Sequence, residues 1–128
     1  YVDSNVFISV VLRDFGNSFE FMDYRSMEFF DKVLSCKYDI VISDLVLDEF
    51  KKITMFSDDD VDMFFEKFSE KMDLIEPSNI LIEKAIELNK KRKVGVADCI
   101  HFLLSRDCDC VVTWNKKHFP NGKTPEEM

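Results

Sequence analysis

The 128-residue sequence is poor in residues that break helices or build long loops, with only three glycines and three prolines. This scarcity favours a helix-rich body with short connections. Thirteen phenylalanines and a hydrophobic share of 46% provide a core of ordinary size, so a single domain over 1–128 is predicted. The first residue, Tyr1, is not an initiator methionine, so residues before the first strand are expected to be missing.

Long apolar runs and metal-binding cysteine pairs are also absent from the sequence. No run approaches the roughly 20 apolar residues of a membrane helix, so a soluble protein without a membrane partner is expected. The four cysteines, at positions 36, 99, 108 and 110, show no C-x-x-C spacing and follow no secretory leader, which favours free thiols in a cytoplasmic protein. Cys108 and Cys110 are interpreted as core residues; a zinc site with His101 and His118 is the less favoured alternative.

Positive charge is scarce as well. Seventeen Lys and Arg against 25 Asp and Glu give a net charge of −8, which argues against broad, nonspecific binding to nucleic acid. Screening limits this repulsion to about 8 Å at physiological salt, so local charge decides. The one basic run is Lys90, Lys91, Arg92 and Lys93. It is typical of a solvated helix end, and it is also a candidate contact to the phosphate backbone of a substrate; both interpretations can hold.

Apolar patterns with strand and helix periods alternate along the chain. Predicted strands end at Val2 and lie at 40–43, 73–76 and 110–113. Predicted helices begin near Asn5, span 24–35 and 44–53, run from Ser57 or Asp58 along a stripe reaching Met72, span 79–91, and follow Gly95 to Asp107. Residues 14–23 are predicted to form a mobile loop or partner-facing segment. The alternation predicts an α/β fold with a doubly wound parallel sheet and helices on both faces.

Polar residues follow several of these elements. Asp3 and Asn5 follow the first strand, and Asn115 follows the last. Asp98 lies in the first turn of a helix, and Glu49 lies on the helix after the second strand, near the same end of the sheet. Ligand crevices in such sheets lie beyond the carboxyl ends of the strands. We therefore expect Asp3, Glu49, Asp98 and Asn115 to converge.

Three converging carboxylates would repel one another and raise each other's pKa unless a cation neutralised them. An oxygen-only set suits Mg²⁺ or Mn²⁺. Asp3 and Asp98 are predicted as direct ligands, and Glu49 as a residue that acts through bound water or a second cation. Such an ion could orient and acidify a water for attack on a phosphodiester.

Each of these residues also has a simpler interpretation. Asp3 could only cap a helix, Glu49 could lie on an exposed helix face, Asp98 could interact only with the helix dipole, and Asn115 could be a turn residue. His101, on an otherwise apolar helix, is interpreted as a packed, hydrogen-bonded core residue rather than as a base.

Several motifs occur together in this order: D-x-N directly after the first strand, an acidic residue late in VLDEF, ADCIH opening a helix, T-x-N-x-x-x-F after a strand, and the closing TPEEM. Together they resemble the PIN-domain ribonucleases, in particular the VapC toxins of prokaryotic toxin–antitoxin pairs, over almost the whole length. The resemblance implies a three-layer, flavodoxin-like sheet and a metal-dependent endoribonuclease. Its catalytic residues would be Asp3, Glu49, Asp98 and Asn115.

Asn115 departs from the aspartate common at this place in the family. As a neutral oxygen donor it weakens the case for a second metal ion. Asn5 and Thr113 are expected to support the site, Thr113 through its hydroxyl.

The resemblance also implies partners: an RNA substrate, a small antitoxin with a basic, arginine-bearing segment that enters the acidic crevice, and a second copy in a homodimer. A PIN-like binding module with little or no activity is the alternative. A phosphotransfer enzyme of the haloacid-dehalogenase type is disfavoured, because it needs a second aspartate where this chain has Asn5.

Overall fold

The computed structural model describes residues 1–12 and 20–128. Within these ranges the α-helices are α1 (Ser4–Val11), α2 (Glu20–Leu34), α3 (Asp44–Thr54), α4 (Asp58–Glu66), α5 (Asn79–Arg92) and α6 (Val96–Leu104). The strands are β1 (Ile40–Ser43), β2 (Met72–Ile75), β3 (Val111–Val112) and β4 (Gly122–Lys123). Single 3-10 turns lie at Ser69–Lys71, Ser105–Asp107, Lys116–His118 and Pro125–Glu127.

Two pairs of parallel strands are joined by the first three residues of the chain. Strand β1 pairs with β2, and β3 with β4. The backbone N–H of Val2 donates to the carbonyl of Val41 at 3.0 Å, and that of Asp3 to the carbonyl of Val112 at 3.0 Å. Val2 also forms a parallel bridge with Val112. The spatial order is therefore β2, β1, the first three residues, β3 and β4.

This order confirms an α/β fold with parallel strands and corrects its predicted connectivity. A flavodoxin-like order places the first strand between the second and third, whereas here the first three residues lie between the second and fourth strands, β1 and β3. The flavodoxin-like order is therefore wrong. Periodicity predicts that successive strands run parallel, but it does not determine to which side each crossover moves.

Several predicted boundaries also change. The strand expected at 73–76 begins one residue earlier, at Met72, and the one expected at 110–113 is reduced to β3. Strand β4 was not predicted, because a two-residue strand carries no periodic signal. Of the segment 14–23, residues 14–19 lie outside the described residues, and 20–23 belong to α2. The helix expected to reach Met72 ends at Glu66, and a 3-10 turn precedes β2.

A cluster of phenylalanines forms the centre of the core. The Phe7 ring lies 4.8 Å from that of Phe30 and 4.9 Å from that of Phe65, which is 5.1 Å from Phe50. Aromatic pairs of this kind contribute about 0.5–1.5 kcal/mol each beyond the area they bury. Phe68 is also buried, so the apolar stripe of α4 and the turn after it packs into the core. Among the described residues, no helix combines the length and apolarity needed to cross a membrane.

The helices that carry the polar residues begin at defined caps. The Ser43 hydroxyl accepts a hydrogen bond from the Val46 N–H at 3.3 Å and starts α3. Helix α5 ends at Lys93 in the left-handed conformation, with φ 54°. Gly95, with φ 111°, then starts α6, a conformation that glycine adopts without steric cost. This tight connection places Asp98 in the first turn of α6.

Candidate metal centre

Three side chains from distant parts of the chain meet at one end of the central strands. Asp3 follows the first strand, Glu49 lies in the second turn of α3, and His101 lies on α6. One potential ligand atom from each lies within 4.8 Å of the others. Asp3 and His101 are buried, and the Glu49 side chain is 30% exposed. The structure thus brings the predicted pair Asp3 and Glu49 together and adds His101.

The Asp3 carboxylate is fixed by neutral donors. Thr113 Oγ1 donates to Asp3 Oδ2 at 2.7 Å, and Asn5 Nδ2 donates to the same oxygen at 3.0 Å. Asn5 Oδ1 in turn accepts a hydrogen bond from the Trp114 N–H at 3.1 Å. Asp3 occupies the N-cap position of α1, but its side chain makes no capping hydrogen bond. Its carboxylate is therefore held by Asn5 and Thr113, the two residues expected to support the site.

Burial raises the pKa of Asp3, and the negative charge of Glu49 raises it further; the charge of His101 and the hydrogen bond from Thr113 offset only part of this. Ionising Asp3 in the folded protein therefore costs free energy. A cation bound at its open oxygen would recover that cost. Oδ1 is the more open oxygen, since the nearby Ser4 hydroxyl, 3.4 Å away, donates its one hydrogen to Glu49 instead.

Glu49 is held from two sides. Ser4 Oγ donates to Glu49 Oε2 at 2.5 Å, and His101 Nε2 lies 3.0 Å from Oε1. Burial opposes ionisation of Glu49, but the hydrogen bond and charge of His101, together with the Ser4 hydrogen bond, outweigh it and lower the pKa of this carboxyl. Glu49 is therefore not a solvated residue on an exposed helix face, because its carboxylate contacts both Ser4 and His101.

His101 is 1% exposed, and both of its ring nitrogens have partners. Nδ1 lies 2.7 Å from the Tyr1 hydroxyl, which lies 2.7 Å from Ser43 Oγ. Burial alone would lower the pKa of His101, but the hydrogen bond and charge of Glu49, with the charges of Asp3 and Asp98, raise it. The prediction of a packed, hydrogen-bonded histidine is confirmed.

Sequence reasoning missed Tyr1 and Ser43 as parts of this site. Tyr1 and Asp3 are two residues apart in an extended segment, so their side chains point to the same face. That alternation was the signal that could have identified Tyr1. Burial raises the pKa of the Tyr1 hydroxyl above its ordinary value, which keeps it a neutral hydrogen-bonding group.

Asp98 and Asn115, the other two predicted site residues, both contact His118. Asp98 Oδ2 lies 2.6 Å from His118 Nδ1, and the Asn115 side-chain amide lies 2.9 Å from the same nitrogen. Because Nδ1 carries at most one hydrogen, it can donate to Asp98 only when it does not accept a hydrogen bond from the Asn115 amide. Asp98 is therefore not part of the close group around Asp3, although it lies one helical turn before His101.

Arg92 forms a hydrogen bond with the backbone of His118. Its Nη2 donates to the carbonyl of His118 at 2.6 Å, and its guanidinium lies 4.6 Å from the centroid of the Phe102 ring. Arg92 Nη1 is buried and has no hydrogen-bond partner among the described residues. Arg92 is therefore a packing residue, unlike the rest of the basic run.

The three lysines of that run are exposed at the end of α5. Lys90 forms an ion pair with Glu87 at 2.8 Å. Lys91 and Lys93 enter no ion pair with the residues that the structure describes. These two lysines are the members of the run that are available for a phosphate backbone.

The donor set of the close group fits a divalent ion. With both carboxylates ionised, the group has a net negative charge even when His101 is protonated. Oxygen donors suit Mg²⁺ and Mn²⁺. In the part of the chain that the structure describes, this is the one group of three or more acidic, cysteine or histidine side chains with such spacing. Among the residues that the structure describes, Cys108 and Cys110 do not form such a group with His101 and His118, as the alternative zinc site would require.

Comparison with known proteins gives no relative from which a function can be transferred. No protein-family model, no curated protein and no solved structure matches this chain.

Proposed function

We propose that the protein is a divalent-metal-dependent endoribonuclease with a PIN-like, three-layer fold, and the toxin of a toxin–antitoxin pair. The observation that carries this proposal is the meeting of Asp3 and Glu49, which are 46 positions apart in the sequence, within 4.8 Å of each other at the end of the central strands. The motifs D-x-N, VLDEF, ADCIH and T-x-N-x-x-x-F support it, because all four contribute side chains to this region.

Asp3 and Glu49 would hold Mg²⁺ or Mn²⁺. When bound, the ion would stabilise the charge that builds on the phosphate and acidify the attacking water. The chain's own part is to position these ligands: Asn5 and Thr113 fix Asp3, and Ser4 fixes Glu49. Such positioning lowers the barrier because the groups need no rearrangement during the reaction.

Asp98 and Asn115 are proposed to complete the site from its rim. Because Asp98 is bound to His118, it would reach the ion only after a change of rotamer. Asn115 brings no charge, so one metal ion is proposed rather than two. Lys91 and Lys93 are the proposed contacts to the RNA backbone, and they act locally because screening shortens the reach of the net charge.

Two protein partners are proposed. A small antitoxin would place a basic, arginine-bearing segment against the carboxylates, since buried carboxylates are stabilised by a bidentate cation. A homodimer is supported by exposed apolar side chains: Met55, directly after α3, is 85% exposed, and Met63 on α4 is 72% exposed. Light scattering of the purified protein, with and without its antitoxin, would measure both assemblies.

RNA cleavage by the purified, partner-free protein tests the proposal. Single-stranded and structured RNA should be cut in Mg²⁺ or Mn²⁺ and left intact in EDTA. Glu49→Gln and Asp98→Asn should abolish cleavage, whereas Asp48→Asn, the same type of change on an exposed face of α3, should not. Equal cleavage by all variants would identify a contaminating nuclease and remove the assignment.

A binding module with little or no activity is the second candidate. It is favoured by Asn115, which replaces a carboxylate, and by the bond between Asp98 and His118, which occupies another. Such a protein would retain RNA in a filter-binding assay and leave it uncut in both metals. Cleavage that requires Glu49 would exclude it.

A further inference from the structure

We propose that His101 Nε2 is a direct ligand of the ion, beside Asp3 and Glu49, and that the site consequently prefers Mn²⁺ to Mg²⁺. This inference rests on the proposed metal-dependent function. It goes beyond the oxygen-only ligand set expected from the sequence, because it adds a nitrogen donor.

The distances in the close group are near those between ligands that share one ion. His101 Nε2 lies 3.0 Å from Glu49 Oε1. Two adjacent ligands of an octahedral ion with bonds of about 2.1 Å are about 3.0 Å apart, and opposite ligands about 4.2 Å. All three ligand atoms lie within 4.8 Å of one another. An ion could therefore be shared after side-chain shifts of only a few tenths of an ångström.

The orientation of the imidazole is fixed from behind. Its Nδ1 lies 2.7 Å from the Tyr1 hydroxyl, and that hydroxyl lies 2.7 Å from Ser43 Oγ. With the proton on Nδ1 donated to Tyr1, the lone pair of Nε2 points toward the carboxylates. Histidine ligands of metals commonly have such a partner on the other nitrogen, which fixes both tautomer and ring orientation. Because the ring is 1% exposed, it has no room to turn away.

A mixed donor set changes which ion is preferred. Carboxylates suit Mg²⁺ and Mn²⁺ alike, whereas imidazole favours transition metals. Mg²⁺ also loses its waters reluctantly and accepts mainly oxygen donors. Replacing one oxygen ligand by an imidazole should therefore raise the affinity for Mn²⁺ over Mg²⁺ by at least about tenfold.

Pulsed electron paramagnetic resonance of the Mn²⁺-loaded protein tests the ligand directly. The wild-type spectrum should show ¹⁴N coupling of a coordinated imidazole. His101→Gln should lose this coupling, and His118→Gln should keep it; the chain has only these two histidines, so the pair of variants identifies the nitrogen. Calorimetric titration with Mn²⁺ or Mg²⁺ alone should give a dissociation constant at least about tenfold lower for Mn²⁺ in the wild type, and a smaller ratio in His101→Gln.

The outcomes separate this inference from the function on which it rests. Mn²⁺ that binds without ¹⁴N coupling would overturn the role of His101 and leave a metal-dependent nuclease in place. Failure of both ions to bind would overturn both proposals.

Should His101→Gln fail to fold, Tyr1→Phe provides a second test, because it keeps the imidazole and removes the partner of its Nδ1. It should retain the ¹⁴N coupling and weaken Mn²⁺ binding by about 10- to 100-fold. Unchanged binding in Tyr1→Phe would contradict the proposed orientation of the ring.

Discussion

Replacing Asp3 by asparagine should have opposite effects on stability with and without a metal ion. The substitution keeps one side-chain oxygen to accept the hydrogen bonds from Thr113 and Asn5. It removes a buried negative charge whose pKa is raised by burial and by Glu49. In EDTA, the variant should therefore unfold at a higher temperature than the wild type at neutral pH.

The magnitude follows from the charges around Asp3. At the 4.8 Å limit of the close group and an effective dielectric constant of 20, repulsion from Glu49 and attraction to protonated His101 are each about 3.5 kcal/mol. These two terms nearly cancel. What remains is the desolvation of the carboxylate, several kcal/mol. It is offset by the part of its two hydrogen bonds that depends on the charge, about 1–1.5 kcal/mol each, because asparagine keeps both bonds in their weaker neutral form. A net gain of about 1 kcal/mol, or roughly 4 °C in Tm, is expected for Asp3→Asn.

A metal ion should make the wild type more stable than Asp3→Asn. At a concentration 100 times its dissociation constant, an ion stabilises the wild type by about 2.7 kcal/mol, and Asp3→Asn should lose most of this gain. Thermal unfolding followed by circular dichroism in EDTA and in Mn²⁺ measures both effects, with Asp48→Asn as the exposed control. Equal destabilisation of Asp3→Asn in both conditions would show that Asp3 has only a structural role.

Three further predictions concern the surroundings of the site. In EDTA, the stabilisation from Glu49, whose pKa is lowered from 4.5, should be present above pH 4.5 and lost as the pH falls through its folded pKa. The stabilisation from His101, whose pKa is raised from 6.5, should be complete below pH 6.5 and lost as the pH rises through its folded pKa. Unfolding in urea at a series of pH values should show the loss from Glu49 at low pH and the loss from His101 at higher pH. The variant His101→Gln should lack the loss at higher pH. Thr113→Val should weaken Mn²⁺ binding by about tenfold in calorimetry, because it frees the Asp3 carboxylate, whereas Thr113→Ser should not. Arg92→Leu should lower the free energy of unfolding in urea by about 1–3 kcal/mol, since it leaves a carbonyl unpaired and removes a guanidinium from an aromatic ring.

The parts of the site that could be predicted from the sequence depend on local rules. Asp3 was found because it directly follows a short apolar strand, and Glu49 because helical spacing places it on α3 near the same end of the sheet. The alternation of helices and strands was enough to predict parallel strands. These rules need only a window of a few residues, which the sequence supplies.

The parts that could not be predicted depend on contacts between distant residues. Tyr1 and His101 are separated by 100 positions, and no local pattern pairs them. The order of strands likewise depends on where each crossover packs. The bond between Asp98 and His118 was missed because the two residues are 20 positions apart and lie on different elements.

The histidine that was expected to be only a packed core residue explains how two carboxylates can lie so close in the folded chain. Two carboxylates in this space repel each other unless a cation lies nearby. With His101 beside Glu49, the cluster contains its own cationic group. The pKa of His101 is raised because the nearby carboxylates attract its positive charge. The chain can therefore fold around Asp3 and Glu49 before any ion or basic partner is present. An ion that replaces the proton on Nε2 would find its ligands already held by Ser4, Thr113 and Tyr1.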